Sequence, residues 1–526
     1  MKTIRISLAF LTVLGLSAAA RAQTDFDARL HTIMARPDYR HSRFGIAIQP
    51  ISGGKALYRL NASELFVPGS TTKLVTEGVA LKLIGPDYKF RTPIYRTGTI
   101  SPEGTLQGDL VVVASGDLDL SGRMRPDGTL GFMNVDHSYA GIEGAAALSG
   151  DPIAPVRSMA RQIADHGVKH VAGRVIIDAS LFPEGERELG TGAVISPIVI
   201  NDNCVDTTVA AAKEAGQAAT VRISPETRYL EVINRVRTVA AGGVSQVRFS
   251  SDTRNPDGSR RLILEGTIPA GNAPVFLAYK VPEPSVFAAF LFREALAEVG
   301  VVVESAQSAQ PLVGPETLAA SYKPENLLAE HVSPPLMDDA RITLKVSQNL
   351  HASTGPYLVG AITGKKHHEA LAEGFRLERL LLEKEGLDVS GASQSDGAGG
   401  AAMFTPDFMC QFLTWMSKQP FGRQYHDGLP VLGKDGTLFD IQTASSAAGK
   451  VFAKTGTYAT SDRLHEQALI TGKGFAGYMT TRDGHEIAFA FYVNFVPADP
   501  TQGTHIAGEM LGEIATAAYE ANWNGK

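Results

Sequence analysis

With only two cysteines in 526 residues, the chain has no disulfide framework to hold it together. Cys204 and Cys410 fall in what read as different regions, so two separate buried thiols are expected, with a bridge between them as the alternative. Aromatic residues make up 7%, and 49 basic residues are outnumbered by 55 acidic ones for a formal charge of −6. No basic surface is therefore left to attract nucleic acid or an anionic membrane. Beyond the N-terminus, no apolar run approaches the roughly 20 residues that a membrane-spanning helix needs, so no stable span is expected. Internal repeats and low-complexity segments are missing as well. What remains is globular in composition, 44% hydrophobic and 20% charged, in a chain too long for one compact core.

Residues 1–22 carry Lys2 and Arg5, then the apolar stretch 6–16, then Ala20-Arg21-Ala22 ahead of Gln23. A basic start, a short apolar core and a small-x-small end describe a secretory signal. An N-terminal membrane anchor is the alternative. The expectation is an exported protein acting in the periplasm or elsewhere outside the cytoplasm.

Two short strands, 44–49 and 55–60, flank a Gly53-Gly54 turn. Pro68-Gly69 then breaks the chain before a helical pattern over 70–83. More than half of the chain separates Lys73 in this helix from the next chemically informative segment at Ser347. Much of that interval alternates apolar and polar as strands do: 109–114, 173–178, 220–223, 232–239, and the pair 247–250 and 262–267 around Asn255-Pro256-Asp257-Gly258. Helical spacing returns over 286–299 and 371–385, followed by strands at 451–457, 475–480 and 486–494 and a helix from about 505. The organisation predicted is a signal at 1–22, a first domain part at 23–93, an inserted β-rich region at 94–282 with two subdomains conceivable, and a second domain part at 283–526. The two parts make one α+β domain, an antiparallel sheet flanked by helices, split in sequence by the insertion.

Three motifs carry the chemistry: Ser70-Thr71-Thr72-Lys73, Ser347-Gln348-Asn349 and Lys454-Thr455-Gly456. Each alone occurs by chance, but the three in this order and setting spell a serine acyl-transferase. On a helix, residues i and i+3 share a face about 5–6 Å apart, so Lys73 reaches the hydroxyl of Ser70. Ser70 is the candidate nucleophile and Lys73 its base, a role that requires a lowered lysine pKa. Burial and a second cation supply that, and Lys454 is the second cation. Ser347 fits a proton shuttle between Lys73 and a leaving amine, and Asn349 offers an amide to a bound peptide. Lys454 and Thr455 suit a substrate carboxylate, and Gly456 permits close approach of a substrate backbone. The Ser70 and Thr457 N–H groups are the natural donors to an oxyanion. By themselves, Ser70 reads equally well as a helix cap, and Ser347 with Asn349 as an ordinary helix-end pair; it is the company that makes them functional.

In these motifs and their wide separation, the chain resembles the D-alanyl-D-alanine carboxypeptidase/endopeptidase family of low-molecular-mass, class C penicillin-binding proteins. Gly116-Asp117-Leu118-Asp119, Asn201-Asp202-Asn203, Asp396-Gly397-Ala398-Gly399, Leu429-Pro430-Val431, Asp435-Gly436-Thr437-Leu438, Gly477-Tyr478 and Asn494 are similar to family segments too. The resemblance implies a β-lactamase/transpeptidase-like fold and a serine peptidase that attacks the bond between two D-alanines of peptidoglycan stem peptides. It also implies endopeptidase cleavage of cross-links, and β-lactams as covalent inhibitors. Departures are Ala398 where the family has Ser, Gly400-Ala401-Ala402 in place of Leu-Ser-Arg, and additional length at 459–472 and 132–151. Rival readings are a serine β-lactamase and a non-catalytic cell-wall-binding protein.

Gly472-x-Gly474-x-x-Gly477 matches a dinucleotide fingerprint by letter but leads into a strand, the wrong context. His367-His368-Glu369 lacks a second ligand pair and reads as a solvated helix face. No metal or other cofactor is expected.

Overall fold

The computed structural model describes residues 25–304, 315–499 and 502–523; the signal expected at 1–22 lies outside them. The chain divides into two compact units, one made of residues 1–83, 340–356 and 375–526, the other of 84–339 and 357–374.

In the first unit, strands follow the order Val451–Asp462, Gln467–Thr480, Glu486–Asn494, Arg43–Pro50, Tyr58–Leu60, each antiparallel to its neighbours. A short strand, Val496–Ala498, pairs with the start of Gln467–Thr480. Strand alternation decides which side chains face which layer. Phe489, Phe491 and Val493 enter one core with Met510, Leu511 and Ile514 of the helix Gly503–Glu520. On the other face Ala488 and Ala490 are small, which admits the helix Pro406–Met416. The Tyr478 hydroxyl donates to the Leu413 carbonyl of that helix at 2.9 Å. The result is the expected α+β arrangement, a sheet between helices.

The additional length at 459–472 extends a strand hairpin, closed by a turn at 463–466. Val451–Asp462 and Gln467–Thr480 stay paired out to Asp462 and Gln467, with a bulge at Tyr458/Ala459. All three glycines of the false dinucleotide fingerprint lie inside one strand of this hairpin.

The second unit carries two four-stranded sheets. One is ordered Leu327–Val332, Arg91–Arg96, Leu110–Val113, Val175–Asp178; the other holds Val302–Val303, His170–Val171, Thr105–Gln107 and Thr99–Ile100. Two three-stranded sheets enclose a smaller core of Val209, Ala219, Val236, Leu264 and Ile268. This unit reaches beyond the 94–282 expected for the insertion, because residues 84–93 and 283–339 also belong to it. The helix Pro284–Glu298 explains the difference. Val286, Phe287, Phe290, Leu291, Phe292 and Leu296 are all buried and share a core with Ile94, Val112, Val156 and Val175. Its charged residues, Arg293, Glu294 and Glu298, gather in its last turns, so its apolar first half gives no polar face from which to infer which core it serves. The unit also holds the helix Ala154–Asp165, which the strand-like patterning did not announce. Cys204 and Cys410 are both free and buried, one in each unit.

Among the described residues, no helix is long and apolar enough to cross a membrane. His367, His368 and Glu369 are exposed, but they sit in a turn before the helix Ala370–Lys384 and not on a helix face.

Candidate active site

Asn494 fixes the approach to the first motif. Its side chain accepts from the Val67 N–H at 3.0 Å and donates to the Val67 carbonyl at 3.2 Å. Gly69 follows with φ of +53°, a conformation in which side chains are strained. A Cβ there would stand 2.5 Å from the Thr457 nitrogen, and a Cβ on Gly456 would stand 2.0 Å from the Pro68 carbonyl oxygen. Two glycines facing one another thus let the helix start touch the edge strand. A 3-10 turn over Gly69–Thr71 leads into the helix Thr72–Leu83, so Ser70 sits in the turn and Lys73 in the first helical turn.

The second motif lies between two helices, Leu336–Val346 and Asn349–Leu358. Ser347 takes φ of +62°, in the left-handed region that costs a non-glycine residue energy. Such strain clusters at sites where a side chain must be aimed. The third motif is central in Val451–Asp462.

These elements bring the predicted residues together. Lys73 Nζ lies 2.7 Å from Ser70 Oγ, 3.2 Å from Ser347 Oγ and 2.6 Å from Asn349 Oδ1. It also lies 3.4 Å from the Ala398 carbonyl oxygen. Lys454 Nζ donates to Ser347 Oγ from the other side at 2.8 Å and to the Thr455 carbonyl at 2.8 Å. A continuous line therefore runs from the Ser70 hydroxyl through Lys73 and Ser347 to Lys454. Both amines are buried. Burial first, and then the charges of Lys73 and Lys473, push the Lys454 amine well below the usual lysine range.

Ala398 contributes through its backbone, so the change from Ser leaves this contact in place. Its loop is shaped by Asp396, which accepts the N–H groups of Ala398, Gly399, Gly400 and Ala401. From its motif, the Thr455 hydroxyl is expected to meet a substrate carboxylate. In the structure that hydroxyl donates to Thr437 Oγ1 at 2.8 Å. Asp435 anchors the Thr437 segment by pairing with Lys345 at 2.7 Å and accepting the Val431 N–H at 2.9 Å.

Thr437 and Lys473 were not among the candidate site residues. Thr437 was visible only within a similar segment, and Lys473 as a lone lysine among glycines and apolar residues. Gly116–Asp119 and Asn201–Asn203 fall in the second unit. There Asp136, His137 and Asp202 hold donor atoms within 4.8 Å of one another, spacing that suits a metal ion. Arg123 already donates to both Asp136 and Asp202, so a protein cation fills that role.

A family model described as the D-Ala-D-Ala carboxypeptidase 3 (S13) family matches residues 26–513. The D-alanyl-D-alanine carboxypeptidase of Actinomadura sp. (strain R39) is 26% identical over 523 residues, covering 93% of this chain and 86% of that protein. D-alanyl-D-alanine carboxypeptidase DacB of Haemophilus influenzae is 22% identical over 466 residues, covering 86% and 85%. Among solved structures, penicillin-binding protein 4 (dacB) from Haemophilus influenzae aligns with a TM-score of 0.68 at 20% identity, over 93% of this chain and 99% of that one.

Proposed function

Because this chain belongs to the D-Ala-D-Ala carboxypeptidase 3 (S13) family and is thus a serine-type carboxypeptidase and penicillin-binding protein, we propose that it trims or opens peptidoglycan stem peptides through an acyl-enzyme on Ser70. The observation that carries the reading is the line Ser70–Lys73–Ser347–Lys454, with every step at hydrogen-bonding distance. Lys73 takes the Ser70 proton as the oxygen attacks the carbonyl between two D-alanines. Ser347, held between two amines, passes a proton to the departing amine, and water then releases the acyl group. The Cβ positions on Gly69 and Gly456 that would crowd the Thr457 and Ser70 nitrogens support those two N–H groups as the oxyanion donors. Lys454, Thr455, Gly456 and Thr457 form the strand edge for the substrate, with Lys454 as the carboxylate anchor. Thr455, engaged with Thr437, contributes once that hydroxyl pair opens to a ligand. Asn349 turns its oxygen to Lys73, leaving its amide group for the peptide. Endopeptidase cleavage uses the same attack on a cross-linked peptide. The leader-like residues 1–22 support export to the periplasm, where such substrates lie.

Covalent labelling with a fluorescent penicillin tests the reading. Wild type should label, and Ser70→Ala should not, while its fold is retained. Labelling of Ser70→Ala at the wild-type rate removes Ser70 from the mechanism, and rapid steady turnover of penicillin would favour the β-lactamase alternative.

A further inference from the structure

A third buried amine stands behind the active-site strand, and nothing in the mechanism above uses it. Lys473 belongs to Gln467–Thr480 and pairs in register with Thr457. Its ammonium group donates to Thr457 Oγ1 at 2.9 Å and to the Thr504 carbonyl at 2.9 Å. Its side chain is buried, and among the described residues both acceptors are neutral oxygens. A lysine enclosed without a carboxylate in contact is costly, and it stands near the start of the helix Gly503–Glu520, where the dipole also disfavours a cation. Burial brings its pKa down to about 8, with Asp440 opposing. The other ionisable groups near this region are His505 and Glu509 on the helix, and Lys454, which lies on the neighbouring strand with its side chain on the opposite face of the sheet.

We propose that Lys473 is a positioning residue for the acylation step, holding Thr457 by its hydroxyl and setting the electrostatic environment of Lys454 from behind the strand. The proposal rests on the functional reading above, in which the Thr457 N–H receives the oxyanion and Lys454 the carboxylate. The donor fixes where the Thr457 backbone points. The charge, present at lower pH, is one of the influences that depress the Lys454 amine. Lys473 touches neither the substrate nor the reacting atoms, and acts through its neighbours.

The test is the pH profile of the rate constant for penicillin acylation in wild type, Lys473→Met and Lys473→Gln, with thermal melts as a folding check. Lys473→Met should acylate about five- to tenfold more slowly, the worth of one hydrogen bond. The alkaline limb of its profile should move upward, since Lys454 has lost a cationic neighbour. Lys473→Gln keeps a donor without the charge, so it should recover most of the rate and show the same displaced limb. A merely structural tether to Thr504 would lower melting temperature in both variants and leave the limb where it was. Wild-type rate with an unmoved limb in Lys473→Met overturns the proposal. If the Met variant does not fold, the limb of Lys473→Gln decides the matter. Failure of the underlying reading would look different, because wild type would not acylate or Ser70→Ala would still label.

Discussion

Two buried cations in each unit, Arg123 and His137 in the second and Lys454 and Lys473 in the first, are held in opposite ways. In the second unit Arg123 and His137 are fully enclosed, and each is met by carboxylates: Arg123 by Asp136 and Asp202, His137 by Asp202 and Asp206. Burial by itself would lower both pKa values, but the surrounding carboxylates outweigh it and raise them. In the first unit Lys454 and Lys473 are equally enclosed, yet their acceptors are hydroxyls and carbonyls, and both pKa values fall. A cation locked to carboxylates cannot release its proton at ordinary pH and serves structure. An amine bonded to neutral oxygens has a proton it can give up, which is what acyl transfer needs. The comparison separates buried charge whose proton is held by carboxylates from buried charge whose proton is easier to lose, the kind of environment the proposed acyl transfer uses.

Removing one member from each side should expose the difference, and the largest effect belongs to Lys73. Lys73→Met should slow penicillin acylation by about 10²- to 10⁴-fold, the usual worth of a positioned base, while the urea midpoint falls little. Arg123→Met should do the reverse. It leaves Asp136 and Asp202 enclosed without their guanidinium, which costs about 3–5 kcal/mol in urea denaturation, and protein that remains folded should label at close to the wild-type rate. Acylation lost equally in both variants, or stability lost equally, would break the distinction.

How far the sequence foretold this contrast depends on how local each signal is. Ser70 with Lys73 was legible because helical spacing alone brings i and i+3 together, and Lys454 because its motif lies in an apolar strand. The network of Arg123, Asp136, His137 and Asp202 was not legible, since it joins a loop to residues well separated in sequence, and each residue alone reads as an ordinary polar position. The second compact unit runs past residue 283 because the apolar residues of the helix Pro284–Glu298 pack into its core, which the sequence around that helix does not reveal. Lys473 failed for a related reason: strand alternation predicts on which face a residue lies, but not whether a helix covers that face.

An intermediate effect is expected at Lys454, the proposed carboxylate anchor. Lys454→Ala should weaken reaction with a peptide ending in a free D-Ala carboxylate much more than with the same peptide amidated. Only the free acid makes a charge-assisted contact, worth about 1.5–3 kcal/mol. Discrimination between the two peptides, measured as a ratio of kcat/KM values, should shrink by roughly 10- to 100-fold. Equal losses on both would mean that Lys454 acts mainly through Lys73, and it would no longer be the anchor.

The smallest effect per pH unit, and the sharpest test of opposite burial, is the sign of the stability response to pH. His137 has a folded pKa raised above its unfolded value near 6.5. Its stabilisation is therefore complete below pH 6.5 and is lost as pH rises toward and through the folded value, at up to about 1.4 kcal/mol per unit. Lys473 runs the other way. Its folded pKa of about 8 lies below the ordinary 10.5, so between those values the unfolded chain holds a proton that the folded chain has given up, and stability rises with pH across that window. Urea denaturation of wild type, His137→Asn and Lys473→Met from pH 6 to 10.5 separates the two. Subtracting the His137→Asn curve from wild type should leave a difference that declines above pH 6.5, whereas subtracting the Lys473→Met curve should leave one that climbs above pH 8. If both differences run in the same direction, His137 and Lys473 are not buried by opposite means, and the contrast drawn between them is lost.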